Sequence, residues 1–271
     1  MTEELQGNLL YTVKRTLVEL NERGYEVAVK RRDRREPARR EKEELDARIT
    51  AIVYKAFRTQ RRKLVDRINM YWSDQKKKPG TFPQIIPLDD LFDDDSEFAA
   101  EMTRAIAAGM IGGVNLLQQM INIGMDYTMT NDRAYDAAKT YAYDLVRGIN
   151  ETSRDAISRA ITSFVETPGM TIGDVINRLP FNSARAEKIA ITEVTRAYAT
   201  GQRMAGEDLQ KEFPSVKVVK TWLTNNDDRV CEICGPLDGK EVELDQTFDG
   251  GISEPPAHVN CRCWTSVSTK I

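Results

Sequence analysis

The chain has 271 residues, enough for one large domain or two modest ones, and its 41% hydrophobic and 30% charged content suits an elongated, partly helical protein. The net charge of −3 conceals a division: residues 1–78 carry 21 Lys/Arg against 13 Asp/Glu, and the remaining residues carry 18 against 29. No run of 18 apolar residues occurs and the acidic start after Met1 is unlike an export signal, so neither a membrane-spanning helix nor secretion is expected.

Residues 3–32 read as a helix, with Leu9, Leu10, Val13, Leu17, Leu20 and Tyr25 at helical spacing. The run from Lys30 to Arg40 is almost all charge, is broken by Pro37, and reads as an exposed connector. A second helix is expected over residues 41–75, with Leu45, Ile49, Ile52, Val53, Phe57, Leu64, Ile68 and Tyr71 as its apolar stripe. Lys76-Lys77-Lys78-Pro79-Gly80, Pro83, Pro87 and the acidic run Asp89–Asp95 mark the clearest boundary. The expected organisation is a basic helical region over 1–80, a helical middle region over 81–134, and a C-terminal domain over 135–271 that ends in a small lobe from about 215.

Residues 97–125 and 131–150 read as apolar helices that need a partner. From Glu151, the residues Ala156, Ile157, Ala160, Ile161, Phe164 and Val165 form a helical face that Pro168-Gly169 ends. Thr171 and Asp174 have the spacing of a capping box for a short helix, and Ser183 is placed to cap the next, which runs to about Asp208. Beyond Pro214 the pattern changes to strands, at Val216–Leu223, Lys240–Leu244 and Cys263–Val267. The expected fold is mainly α, with a small α+β lobe at the C-terminus.

All four cysteines and the single histidine fall within the last 41 residues, as Cys231-x-x-Cys234 and His258-x-x-Cys261-x-Cys263. Without an export signal, thiols in a reducing compartment bind metals more readily than they pair, although buried free thiols and disulfides are the competing readings. The spacing is that of a small structural zinc site, with Cys231, Cys234, His258 and Cys261 as ligands and Cys263 as the alternative fourth. With four positions filled, no coordination position stays open for catalytic water. No second histidine and no phosphate-cradling glycine loop accompany the cluster, so an enzyme is not expected.

The helix Ala184–Tyr198, Lys220-Thr221-Trp222, Asp227–Cys234, Leu237–Lys240 and Pro255–Cys263, in that order, resemble the phage head morphogenesis (Mu F-like) minor capsid proteins over roughly residues 135–271. One departure is Ile191, where members of that family commonly carry Arg. The resemblance implies a minor head protein made in the bacterial cytoplasm and resident in the virion, inside the head near the portal. It further implies the portal protein and the major capsid or scaffold interior as partners, double-stranded DNA as a further one, and an oligomeric arrangement on the portal.

Within the matching region Thr192, Glu193 and Arg196 lie in helical reach of one another, and Glu193 can pair with Arg196 or Arg229. These four residues are read as a polar tie between the long helix and the metal lobe. Asp227, Asp228 and Arg229 are read as the turn before Cys231. In the N-terminal region Lys30, Arg31, Arg32, Arg34, Arg35, Arg39, Arg40, Arg58, Arg61, Arg62 and Lys63 are the candidates for contact with DNA phosphates or an acidic portal surface. A nucleic-acid-binding module that uses these helices and the zinc lobe is the alternative function. A solvated face of i,i+4 ion pairs with Glu41, Glu43, Glu44 and Asp46 is the bland reading of the same charges.

Overall fold

A computed structural model describes residue 32 and residues 35–75, 88–92, 95–121, 124–167 and 169–270. The helix expected over 3–32 therefore lies outside the described residues except for Arg32, as do Lys30, Arg31 and Arg34. The described chain is mainly helical. It contains α1 (Arg39–Gln75), α2 (Ser96–Ile121), α3 (Thr128–Glu166), α4 (Ile172–Asn177) and α5 (Ser183–Glu212), followed by a three-stranded antiparallel sheet.

Each helix follows from its side-chain spacing. On α1, Leu45, Ile49, Val53, Phe57, Leu64 and Ile68 are buried at intervals of four or seven, the expected stripe, with Ile52 and Tyr71 half-buried at its edge. On α3 the inward row is Thr130, Ala134, Ala138, Ala142, Val146, Ile149, Ser153, Ile157 and Ala160, so small residues let a long helix approach its neighbours closely. No breaker separates Asn150 from Glu151, and the segments read apart in the sequence run on as one helix. The capping box of Thr171 and Asp174 opens α4 as expected. The residue that caps α5 is Asn182, one position before Ser183, through a 2.9 Å bond from the Arg185 N–H to its side-chain oxygen.

Helix α2 is the centre of the bundle and packs against α1, α3 and α5. Its crossing with α5 is a backbone contact. A Cβ on Gly113 would sit 2.2 Å from the Tyr198 carbonyl oxygen, and one on Gly201 would sit 1.9 Å from the Met110 carbonyl oxygen. Glycine weakens a helix by about 1 kcal/mol relative to alanine, and here that cost is offset by the close helix packing it permits. One apolar core takes residues from Leu45 to Met204 and so runs across the expected boundaries near 80 and 134.

The sheet has the order β2-β1-β3, with β1 (Lys217–Leu223) central between β2 (Glu241–Glu243) and β3 (Trp264–Lys270). Strand alternation puts Val218, Lys220 and Trp222 on one face of β1. Val218 joins Leu244, Val267 and the helical residues Val114, Leu117, Ala205 and Leu209 in a second core. Trp222 enters a third, small core with Leu237, Phe248, Cys234, Cys261 and Cys263. Its ring meets that of Phe248 edge-on at 5.3 Å. The lobe is thus fastened to α5 and α2 at one end of β1 and built around its sulfurs at the other.

Candidate metal centre

Two loops bring the ligand candidates together. In the first, the Cys234 N–H approaches the Cys231 sulfur at 3.4 Å and the Gly235 N–H bonds to the Cys231 carbonyl at 2.9 Å, so the backbone wraps around the first thiol. A short 3-10 turn, Gly235–Leu237, follows with Pro236 inside it. In the second loop, the Cys261 N–H bonds to the His258 carbonyl at 3.2 Å. Asn260 takes a left-handed conformation (φ 66°) there, one that asparagine tolerates better than most residues.

The His258 Nε2 lies 3.1 Å from the Cys231 sulfur and 3.3 Å from the Cys234 sulfur, and the sulfurs of Cys234 and Cys261 are 3.8 Å apart. Four ligands at about 2.3 Å from a tetrahedral ion define corners about 3.8 Å apart, so the Cys234–Cys261 separation is that of two thiolates on one ion. The five donors form two overlapping triads, Cys231–Cys234–His258 and Cys234–Cys261–Cys263, and Cys234 belongs to both. The cluster could hold a metal ion.

The electrostatics suit a cation. Hydrogen bonding with Cys234 and Cys263 holds the Cys261 sulfur far below the ordinary thiol range, and the same contacts push Cys234 up. The His258 Nδ1 faces the Val259 carbonyl at 2.9 Å, a contact that puts the proton on Nδ1 and leaves Nε2 with its lone pair toward the sulfurs. The buried indole N–H of Trp222 makes no hydrogen bond of normal geometry; against the pull of Cys234 and this indole, Cys261 and burial push the Cys263 thiol up.

The residues expected to tie the long helix to this lobe divide into two sets. The Thr192 hydroxyl accepts the Asn260 N–H at 2.8 Å and donates to the Lys188 carbonyl at 2.7 Å, so it reaches the ligand loop. Glu193 and Arg196 turn away from the lobe. The Tyr141 hydroxyl of α3 donates to Glu193 at 2.6 Å, and Arg196 lies 3.4 Å from the same carboxylate. The Glu193 carboxyl is pushed up by burial, against the pull of Tyr141 and Arg196. Arg229 does not pair with Glu193: it is exposed, and its backbone N–H bonds to Asp227 at 3.1 Å in the turn that Asp227, Asp228 and Arg229 form.

Two further residues hold the site. Arg262, between the last two cysteines, is buried and grips Asp227. The Thr195 hydroxyl donates to the Cys261 carbonyl at 3.1 Å. Both had signals in the sequence. Thr195 lies three residues after Thr192, on the same helical face, whereas Glu193, one residue after Thr192, points another way. Arg262 alternates with Cys261 and Cys263, so in an extended segment it points away from the sulfurs toward the first loop.

The basic candidates separate by burial. Arg32 is not part of an exposed connector: its side chain is 1% exposed and pairs with Asp46 at 2.9 Å and Glu36 at 3.3 Å. Arg39 is half-buried and pairs with Glu43 at 3.0 Å. Arg35, Arg40, Arg58, Arg61, Arg62 and Lys63 are exposed. Among the described residues, no helix is long and apolar enough to cross a membrane.

The model of the family described as Phage Mu protein F like protein matches residues 98–266, beginning well before the expected residue 135. The chain belongs to that family, which points to phage head morphogenesis. No curated protein and no solved structure is significantly similar to the chain.

Proposed function

We propose that the chain is a structural minor head protein of a tailed phage, which binds the portal or the inner capsid during head assembly. The observation that carries this reading is the family match over residues 98–266. In it, the C-terminal lobe is a structural unit closed by zinc on Cys231, Cys234, His258 and Cys261, and the ion supplies cohesion to a core of few large side chains. No catalytic step is assigned to it. The exposed basic face of α1, with Arg58, Arg61, Arg62 and Lys63, is the surface for packaged DNA or an acidic portal wall.

Imaging of assembled heads tests the location: density for this fold at the portal vertex is the expected result, and heads that lack it there overturn the reading. Co-sedimentation with portal oligomers tests the partner directly. The alternative, a free nucleic-acid-binding module, rests on the same exposed cations. It predicts DNA binding that weakens steeply with salt in the absence of any portal.

A further inference from the structure

Outside the span matched by the family, Arg32, Glu36, Lys42 and Asp46 form a buried quartet of charges, with side chains between 0% and 4% exposed. Arg32 spends one edge of its guanidinium on Asp46, at 2.9 and 3.0 Å. Lys42 closes the quartet on Glu36 at 2.8 Å. The remaining reach of Arg32 goes to α5, where Nη1 and Nη2 donate to the Thr195 hydroxyl oxygen at 3.3 and 3.4 Å.

A hydroxyl has one hydrogen and two acceptor sites. With Arg32 on the acceptor side of Thr195, the hydrogen is directed at the Cys261 carbonyl, 3.1 Å away. One turn earlier, Thr192 accepts the N–H of Asn260. The peptide before Asn260 and the peptide after Cys261 are therefore both clamped to α5, and the second clamp is aimed by a residue 163 positions from Thr195 in the sequence. A buried ion quartet adds little net stability, because desolvation offsets attraction, but it specifies geometry.

We infer that Arg32 and Thr195 are positioning residues for the metal centre: through the Cys261 carbonyl, the segment that precedes α1 sets the affinity of the lobe for its ion. This rests on the zinc reading above. By reciprocity, bound metal must hold Arg32 in place to the same degree.

The test uses the full chain, with zinc affinity read by competition against a chromophoric chelator and ligand geometry read from the visible spectrum of the cobalt-substituted protein. Thr195→Val, which keeps the shape and removes the hydroxyl, is expected to weaken zinc binding about tenfold and shift the cobalt bands, as loss of an outer hydrogen bond does at other metal sites. Thr195→Ser restores both. Should Thr195→Val fail to fold, the wild type carries the test: chelation must speed hydrogen exchange at the Arg32 amide, which bonds to Glu43 at 3.1 Å. Unchanged affinity and spectrum in folded Thr195→Val, or unchanged exchange at Arg32 on chelation, overturns the positioning role while the metal centre stands. A wild-type chain that binds no zinc overturns both.

Discussion

Arg262 holds the Asp227 carboxylate with two nitrogens, at 2.8 and 3.0 Å, and so links the two ligand loops on the side away from the sulfurs. The Arg262 side chain is 7% exposed, so removal of Asp227 takes a charge-assisted pair from a desolvated cation. Asp227→Ala is expected to cost roughly 1.5–3 kcal/mol, the range for a hydrogen bond to a charged group, read by denaturant unfolding of the lobe. Arg229→Ala at the exposed neighbour is expected to be near neutral. Equal losses at the two positions would contradict the assignment of Arg262 as the partner.

Membership of Cys234 in both donor triads makes it the candidate ligand whose loss is expected to matter most. Zinc content measured on purified protein is expected to be near one ion per chain and near zero in Cys234→Ser. On the proposed reading, with Cys261 as the fourth ligand, Cys261→Ser is expected to lose the ion and Cys263→Ser to retain it with weaker affinity. The opposite ranking of these two variants would move the fourth ligand to Cys263.

The contact between α2 and α5 leaves no room for a methyl group at Gly201, where the Met110 carbonyl stands 1.9 Å from the Cβ position. Gly201→Ala is expected to destabilise by roughly 2–3 kcal/mol, because two helices must part to admit it. Gly148 on α3 has nothing within 4 Å of its Cβ position. Gly148→Ala is expected to stabilise by up to about 1 kcal/mol through helix propensity alone. Thermal melts of the two variants should shift in opposite directions.

Burial pushes the Glu193 carboxyl above its ordinary value of 4.5. The folded chain then keeps a proton that the unfolded chain has released, so this contribution to stability is present below that value and is lost as pH rises through the raised one. The stability of wild type relative to Glu193→Gln is expected to fall as pH is raised from about 4.5. Urea unfolding of both proteins across that window measures it, and parallel stability curves would refute the buried-carboxyl account.

Charge reversal on α1 separates surface from core. Arg62→Glu, at an exposed position, is expected to leave the melt unchanged and to weaken DNA or portal binding. Arg32→Glu puts a third carboxylate beside Asp46 and Glu36 in a buried site and is expected to abolish folding. A well-folded Arg32→Glu chain would show that the quartet does not form.

Periodicity in the sequence determined the helices, because a stripe such as Leu45, Ile49, Val53 and Phe57 has only one helical face to occupy. Ligand spacing likewise picked out Cys231, Cys234, His258, Cys261 and Cys263, since two short loops suffice to gather them. The tertiary structure decided what these pieces do to one another. Whether a charged run such as 30–40 is solvated or buried depends on counter-charges elsewhere, and Asp46 and Thr195 take Arg32 out of water. Whether Glu193 faces the lobe or α3 depends on which neighbour claims that side of α5, and Tyr141 claims it. Spacing along a chain encodes contacts within one element. Contacts between elements depend on where the packed helices bring their faces, and that is decided only when the core closes.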